Sequence, residues 1–180
     1  MDTDTLKRSV EIGGSKILTG YELSSEPIIV YTIGHSNRNI SDFIFILKKF
    51  EINLVIDIRT YPYSKYVSDY NKENLVRSLK GNNIEYLYRG DTLGGLHPEG
   101  FDRYRKTKKY IDALHELLRD ILMSNKTVAL MCSEKDYNNC HRRFISEDLE
   151  KIILEKSYDI VIEHILDERG LDKTLDQFMG

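Results

Sequence analysis

The 180-residue chain is 41% hydrophobic and 31% charged, with a formal net charge of −3. This size and composition fit one globular domain, and no apolar run approaches the roughly 20 residues of a membrane-spanning helix. The N-terminal residues mix acidic, basic and polar side chains, so we expect no secretory signal, no membrane partner and a cytoplasmic location. With two cysteines in all, we expect reduced thiols rather than a disulfide framework.

Strands and helices alternate along the chain from residue 28 onwards. Residues 1–27 contain Gly13-Gly14 and weak alternation, which predicts an N-terminal arm or small hairpin before a single domain at 28–180. Apolar, β-branched runs predict five strands, at 28–33, 54–58, 84–88, 127–131 and 160–165. Helical spacing of apolar residues predicts helices at 40–50, 71–80, 111–122, 144–156 and 171–178. This order predicts an α/β fold, a three-layer domain with a mostly parallel sheet of about five strands and helices on both faces.

The connection after the fourth predicted strand is the stretch richest in reactive groups. It reads Cys132-Ser-Glu-Lys-Asp-Tyr-Asn-Asn-Cys-His-Arg-Arg143 and holds two thiols, a carboxylate, an imidazole and guanidiniums within twelve residues. We expect Asn138 or Asn139 to cap the following helix, whose first turn then holds Cys140, His141 and Arg142. Free N–H groups and a partial positive charge at a helix N-terminus favour an anion site there.

Polar groups also follow the other predicted strands. Gly34-His-Ser-Asn-Arg38 follows the first, and Asp57 and Arg59 end the second. The long connection at 89–107, which contains Leu93-Gly-Gly95, is a candidate lid. Because ligands bind at the carboxyl ends of strands in open α/β sheets, we expect these loops to surround one pocket. The candidate catalytic residues are His35, Asp57, Cys132, Glu134 and His141; the candidate substrate-binding residues are Asn37, Arg38, Arg59, Ser64, Gly94, Gly95, Cys140 and Arg142.

Five blocks of sequence are distinctive in combination: Thr32-Ile-Gly-His-Ser-Asn37, Val55-Ile-Asp-Ile-Arg59, Leu93-Gly-Gly95, Met131-Cys-Ser-Glu134 and Cys140-His-Arg142. Together they resemble the family catalogued as domain of unknown function 488. The resemblance runs from about residue 28 to residue 165, with Met131 and Ser133 where Leu and Ala are common in the family. It implies the fold and the site and leaves the chemistry open.

Phosphate-directed chemistry or binding fits the residue set without an unusual pKa. Arg38, Arg59 and Arg142 supply anion clamps, an imidazole supplies the acid or base, and Asp57 orients it.

Two other chemistries stay open. In a thiol-dependent enzyme Cys140 fits a helix N-terminus and Cys132 a strand-end nucleophile, although Asn138 stands where phosphatase-like spacing needs Arg. A metal held by both thiols with His141 and His35 has a seven-residue gap unlike structural zinc, so we expect no metal and no cofactor.

Charge and tyrosine distribution bear on the ligand. Residues 59–109 carry eleven Lys and Arg against six Asp and Glu, whereas residues 144–180 carry four against ten. Eight of the twelve tyrosines fall in or next to that basic segment. Rings interleaved with cations can stack bases and hold phosphates, which favours a phosphate-bearing small molecule or single-stranded nucleic acid as partner. Two solvated faces would give the same asymmetry, and a non-catalytic binding module is the alternative to an enzyme.

Overall fold

The structure, a computed structural model, describes residues 10–12, 15–17, 26–64 and 66–166. The strands are β1 (Val10–Ile12), β2 (Ser15–Ile17), β3 (Ile28–Gly34), β4 (Leu54–Asp57), β5 (Glu85–Tyr88), β6 (Val128–Cys132) and β7 (Ile160–Ile165). The helices are α1 (Ile40–Lys49), α2 (Lys72–Lys80), α3 (Gly90–Leu93), α4 (Phe101–Tyr104), α5 (Lys108–Ser124) and α6 (His141–Lys156), with a 3-10 helix at Ser68–Tyr70. The predicted helix at 171–178 lies outside the described residues.

Five strands form one parallel sheet in the order β5-β4-β6-β3-β7. The register aligns Gly34 with Cys132 and Asp57 with Met131, so the carboxyl ends of three strands lie side by side. This sheet confirms the predicted α/β fold. β1 and β2 pair antiparallel to each other, and a domain boundary at residue 27 stays a prediction.

Helices cover both faces of the sheet, which is why all five residues of the central strand β6 are buried. Leu130 and Cys132 pack in the core shared with α5 and α6. Ala129 and Met131 pack in the opposite core with α1 and α2. The period of two along β6 therefore places the Cys132 side chain on the α6 side.

The neighbouring strands β4 and β6 send the chain to opposite faces. After β4 the chain reaches α2, whose Leu75 and Leu79 pack in one core; after β6 it enters α6, whose Ile145 and Leu149 pack in the other. In open parallel sheets such a reversal opens a crevice at the carboxyl ends of the two strands. The ends of β4 and β6 are thus the expected place for a ligand in this topology.

Candidate functional site

Hydrogen bonds continue the sheet beyond its strands at the carboxyl edge. The backbone N–H of His35 donates to the carbonyl oxygen of Cys132 (2.9 Å), and the N–H of Ile58 donates to that of Met131 (3.0 Å). The loops after β3, β4 and β6 are therefore tied to one another. The structure brings these three predicted loops to one edge.

Gly34 lets the first of these loops approach the third. A Cβ atom at this position would overlap the carbonyl oxygen of Glu134 and lie 2.5 Å from a guanidinium nitrogen of Arg142. Only glycine leaves room for this contact between two backbones.

Asp57 and Arg59 form a fully buried ion pair at the end of β4. Arg59 donates from Nε to Oδ1 (2.9 Å) and from Nη2 to Oδ2 (2.6 Å), and the Tyr86 hydroxyl also donates to Oδ2 (2.9 Å). Arg59 Nη1 donates to the carbonyl oxygen of Tyr70 (2.9 Å). Arg59, which we expected to bind an anionic ligand, is therefore paired with the protein's own Asp57. This ion pair makes the carboxyl edge of the sheet more rigid.

His35 is buried as a neutral ring. Its Nδ1–H donates to the carbonyl oxygen of Ser36 (2.8 Å), so Nε2 is the acceptor facing Arg59 Nη1 (3.2 Å). The ring stacks on Tyr70 with centroids 3.9 Å apart. Burial, and then the Arg59 charge, lower the pKa of His35 to about 4. Both ring nitrogens are occupied by protein groups, which leaves no lone pair for a substrate in this arrangement.

Cys132 and Cys140 lie in direct contact, with 2.6 Å between their sulfur atoms, and both are buried free cysteines. Arg142 Nη1 donates to Cys132 Sγ (3.1 Å), and the same buried guanidinium donates to the carbonyl oxygens of Glu134 and Lys135. The Cys140 hydrogen bond, and then the Arg142 charge and hydrogen bond, lower the pKa of Cys132. The contact with Cys132, and then burial, raise the pKa of Cys140. These opposite shifts make Cys132 the thiol of the pair that loses its proton more readily.

The N-cap of α6 is Cys140, and the prediction of Asn138 or Asn139 was wrong. Cys140 Sγ accepts from the backbone N–H of Arg142 (3.5 Å). The two asparagines instead bind the Asp136 carboxylate, through the Asn138 backbone N–H (2.9 Å) and the Asn139 side chain (2.6 Å). A turn built on Asp136 therefore precedes the helix, and Cys140 lies one residue before its first turn.

His141 is half-buried between β4 and the connection after β5. Its Nε2–H donates to the carbonyl oxygen of Ile58 (2.9 Å), and its Nδ1 lies 3.8 Å from Cys140 Sγ. A Cβ atom at Gly95 would lie 2.7 Å from the His141 ring, and Phe101 meets that ring edge-on. Burial lowers the pKa of His141, which keeps the ring neutral at neutral pH.

The candidate lid at 89–107 folds onto the domain in this structure. The Tyr104 hydroxyl donates to the carbonyl oxygen of Thr92 (2.7 Å), and His97 Nε2–H donates to that of Gly94 (2.8 Å). The His97 and Tyr104 rings stack with centroids 3.6 Å apart. Opening of this segment stays a prediction.

The other predicted residues lie on the solvent side of the edge. Asn37 and Glu134 are exposed, and Arg38 and Ser64 are half-buried. Arg38 Nη1 donates to the carbonyl oxygen of Gly34 (2.5 Å), so part of its guanidinium is occupied by the loop that carries it.

Three exposed tyrosines project from the loop after β4: Tyr61 (69% exposed), Tyr63 (59%) and Tyr66 (92%). Ser64, in the middle of this loop, donates its backbone N–H to the Asn71 side chain (2.8 Å), and its hydroxyl accepts from the backbone N–H of Tyr66 (3.3 Å). We call these three tyrosines and the stretch that carries them the tyrosine loop. Hydrogen bonds anchor its backbone at Ser64 and Tyr66.

Part of the basic segment is neutralised within the protein. Arg105 forms a bidentate pair with Asp148 of the acidic C-terminal part (2.7 and 2.8 Å), and Arg89 forms one with Asp120. Lys108 pairs with the next turn of its own helix. Much of the charge asymmetry therefore reflects internal pairing.

The sequence did not indicate that Tyr70 and Tyr86 belong to the Asp57 cluster. Tyr86 reaches Asp57 because β5 lies next to β4, and Tyr70 reaches His35 through the 3-10 helix before α2. Both contacts depend on strand order and on loop conformation, for which no sequence signal exists.

Neither a metal site nor a membrane span is found in the described part of the chain. Among those residues no group of three or more His, Cys, Asp and Glu side chains is placed to hold a metal ion. None of their helices is long and apolar enough to cross a membrane.

The protein is an α/β domain whose sheet carries, at its carboxyl edge, a buried ion pair, a buried thiol pair and the exposed tyrosine loop. The family model described as "Domain of unknown function DUF488" matches residues 39–149, and the chain belongs to this family. The matched residues include the end of β4, the Leu93-Gly-Gly95 segment and the Cys132–Arg142 segment. The match begins just after Arg38. Comparisons with curated proteins and with solved structures gave no match.

Proposed function

We propose that the protein binds a phosphate-bearing ligand at the carboxyl edge of its sheet, and that this ligand is a single-stranded nucleic acid. The observation that carries the proposal is the tyrosine loop, whose three exposed rings follow the carboxyl end of β4 in the chain. Aromatic side chains on a surface stack on bases of any sequence because every base has a π-face.

The anchored backbone of this loop supports binding further. Its hydrogen bonds to Asn71 and within the loop exist without a ligand, so less conformational freedom is lost when bases stack. Arg38, half-buried, and Lys135, exposed, supply cations for phosphates at the neighbouring loops. Arg105 and Lys108 are less suited, since both already pair with carboxylates.

Binding is better supported than catalysis. Asp57, Arg59 and His35 are buried and form hydrogen bonds with one another. The Nε2–H of His141 donates to a backbone carbonyl oxygen. A catalytic acid or base needs a free proton position within reach of the substrate. These groups therefore fit the role of a rigid support for the tyrosine loop and the loops beside it.

The proposal is tested by fluorescence anisotropy with a labelled oligothymidylate of about 12 nucleotides, a length within the range of known single-strand sites. Tyr61→Ala and Tyr66→Ala should each weaken binding by about 5- to 150-fold, because one stacked base is worth about 1–3 kcal/mol. Tyr66→Phe should restore most of the affinity, since stacking needs the ring and not the hydroxyl.

Phe45→Ala is the matched control, because Phe45 is an equally exposed ring (67%) on α1, away from the tyrosine loop. It should bind as the wild type does. Affinity should fall steeply with salt and be weaker for a mononucleotide and for a duplex. Absence of binding at micromolar protein, or equal losses in the Phe45 and Tyr66 variants, would rule the proposal out.

A further inference from the structure

The two cysteines of the chain lie against each other where β6 ends and α6 begins. The chain has no other cysteine, yet residues eight positions apart place their sulfur atoms 2.6 Å from each other. A small further approach would bring them to the bonding distance of about 2.05 Å. The contact joins the end of β6 to the N-cap of α6, two positions fixed by the sheet and the helix.

The charge around this pair favours a thiolate. Arg142 is fully buried, and in the described part of the chain it forms no ion pair with a carboxylate. Its Nη1 lies 3.1 Å from Cys132 Sγ, while the guanidinium's other hydrogen bonds are to backbone carbonyls. A buried guanidinium requires an anion, and the Cys132 sulfur is the group placed to be that anion.

The segment that joins the two cysteines, residues 133–139, lies at the surface, and every residue of it except Tyr137 is exposed. Both cysteines are themselves buried, so a small reagent needs less opening of the protein to reach sulfur than a bulky disulfide does. The structure therefore favours a small oxidant.

We propose that Cys132 and Cys140 form a redox-active dithiol that hydrogen peroxide oxidises to an intramolecular disulfide, with Cys132 as the nucleophile and Cys140 as the resolving thiol. The Cys132 thiolate attacks one peroxide oxygen; the S–O bond forms, the O–O bond breaks, and hydroxide leaves and takes a proton from solvent to become water. The Cys140 thiol then gives up its proton as its sulfur attacks Cys132. The S–S bond forms, the S–O bond breaks, and the second oxygen leaves as water.

In sum the dithiol loses two electrons and the peroxide is reduced to two water molecules. The lowered pKa of Cys132 and the raised pKa of Cys140 agree with this division of roles. A small-molecule dithiol reverses the reaction by thiol–disulfide exchange.

The test treats the reduced full-length chain with hydrogen peroxide, removes the peroxide, alkylates in denaturant and measures intact mass. Both thiols should be lost together in a monomer lighter by two hydrogen atoms, and dithiothreitol should restore both. Because only two cysteines exist, this product is the Cys132–Cys140 bond. The rate should fall less between pH 8 and pH 6 than that of an ordinary thiol of pKa about 8.5, which would slow by roughly 75-fold.

Single-cysteine variants assign the roles. Cys140→Ser should accumulate a sulfenic acid that dimedone traps, and Cys132→Ser should lose its remaining thiol about tenfold more slowly than Cys140→Ser does. Disulfide-linked dimers, thiols that react only in denaturant, or faster oxidation of Cys140 than of Cys132 would overturn the proposal. If either variant fails to fold, the wild-type product and its pH profile decide.

Discussion

The neutral, buried imidazole of His35 makes a specific prediction about acid stability. Its pKa is about 4 in the folded chain, against 6.5 for an ordinary histidine. Between these two pH values the unfolded chain binds a proton that the folded chain does not, so stability falls as the pH drops through this window. Each tenfold change in proton affinity is worth about 1.4 kcal/mol, so the loss attributable to His35 is about 3 kcal/mol.

The measurement is urea unfolding of wild type and His35→Asn at several pH values from 7 to 4. Asn replaces the Nδ1–H donor and does not titrate, so carboxylates shared by both proteins cancel in the comparison. Wild type should be the more stable at pH 7, and its advantage should shrink by about 3 kcal/mol by pH 4. His115→Asn, at an exposed position on α5, should run parallel to wild type. Parallel curves for His35→Asn and wild type would refute the buried neutral ring.

Two further predictions concern buried residues at the carboxyl edge of the sheet, and each is measured by urea unfolding. Gly34→Ala should lower the free energy of unfolding by about 1–3 kcal/mol, because the new Cβ overlaps the Glu134 backbone, whereas Gly81→Ala meets only ordinary contacts and should change it by less than about 1 kcal/mol. Asp57→Asn should cost about 3–5 kcal/mol, since it leaves a buried guanidinium without its anion. Asp112→Asn removes a carboxylate from an exposed pair and should cost less than about 1 kcal/mol. Equal losses within either pair would contradict the account.

The five strands of the parallel sheet and the helices α1, α2, α5 and α6 were predictable because each has a strong local signal, whereas the short helices α3 and α4 lie inside the predicted connection at 89–107 and were missed. β6 is a continuous apolar run, as expected of a strand covered on both faces, and α1 is preceded by a typical N-cap residue, Asn39, whose side chain accepts from the Asp42 backbone N–H. The convergence of strand ends at one edge followed from the parallel topology alone.

The side-chain arrangement at the edge was less predictable. Asparagine is a preferred N-cap residue, but Asn138 and Asn139 both donate hydrogen bonds to the Asp136 carboxylate. Cys140 is therefore the residue that caps α6. The sequence places Asp57 and Arg59 at the end of a strand, yet whether they face each other or a ligand depends on burial that only the folded loops define. The contact between the two thiols likewise depends on the backbone conformation of residues 133–139, which join the two cysteines.

The central claim is that the tyrosine loop and the loops beside it form a binding surface for single-stranded nucleic acid. The most direct measurement is an NMR titration of the assigned, isotope-labelled protein with an unlabelled short oligothymidylate. Amide signals of residues 61 and 63–66, Asn37 and Lys135 should shift together and saturate, while those of the outer face of α5 around His115 should stay in place. Shifts confined to other surfaces, or none at saturating oligonucleotide, would contradict the claim.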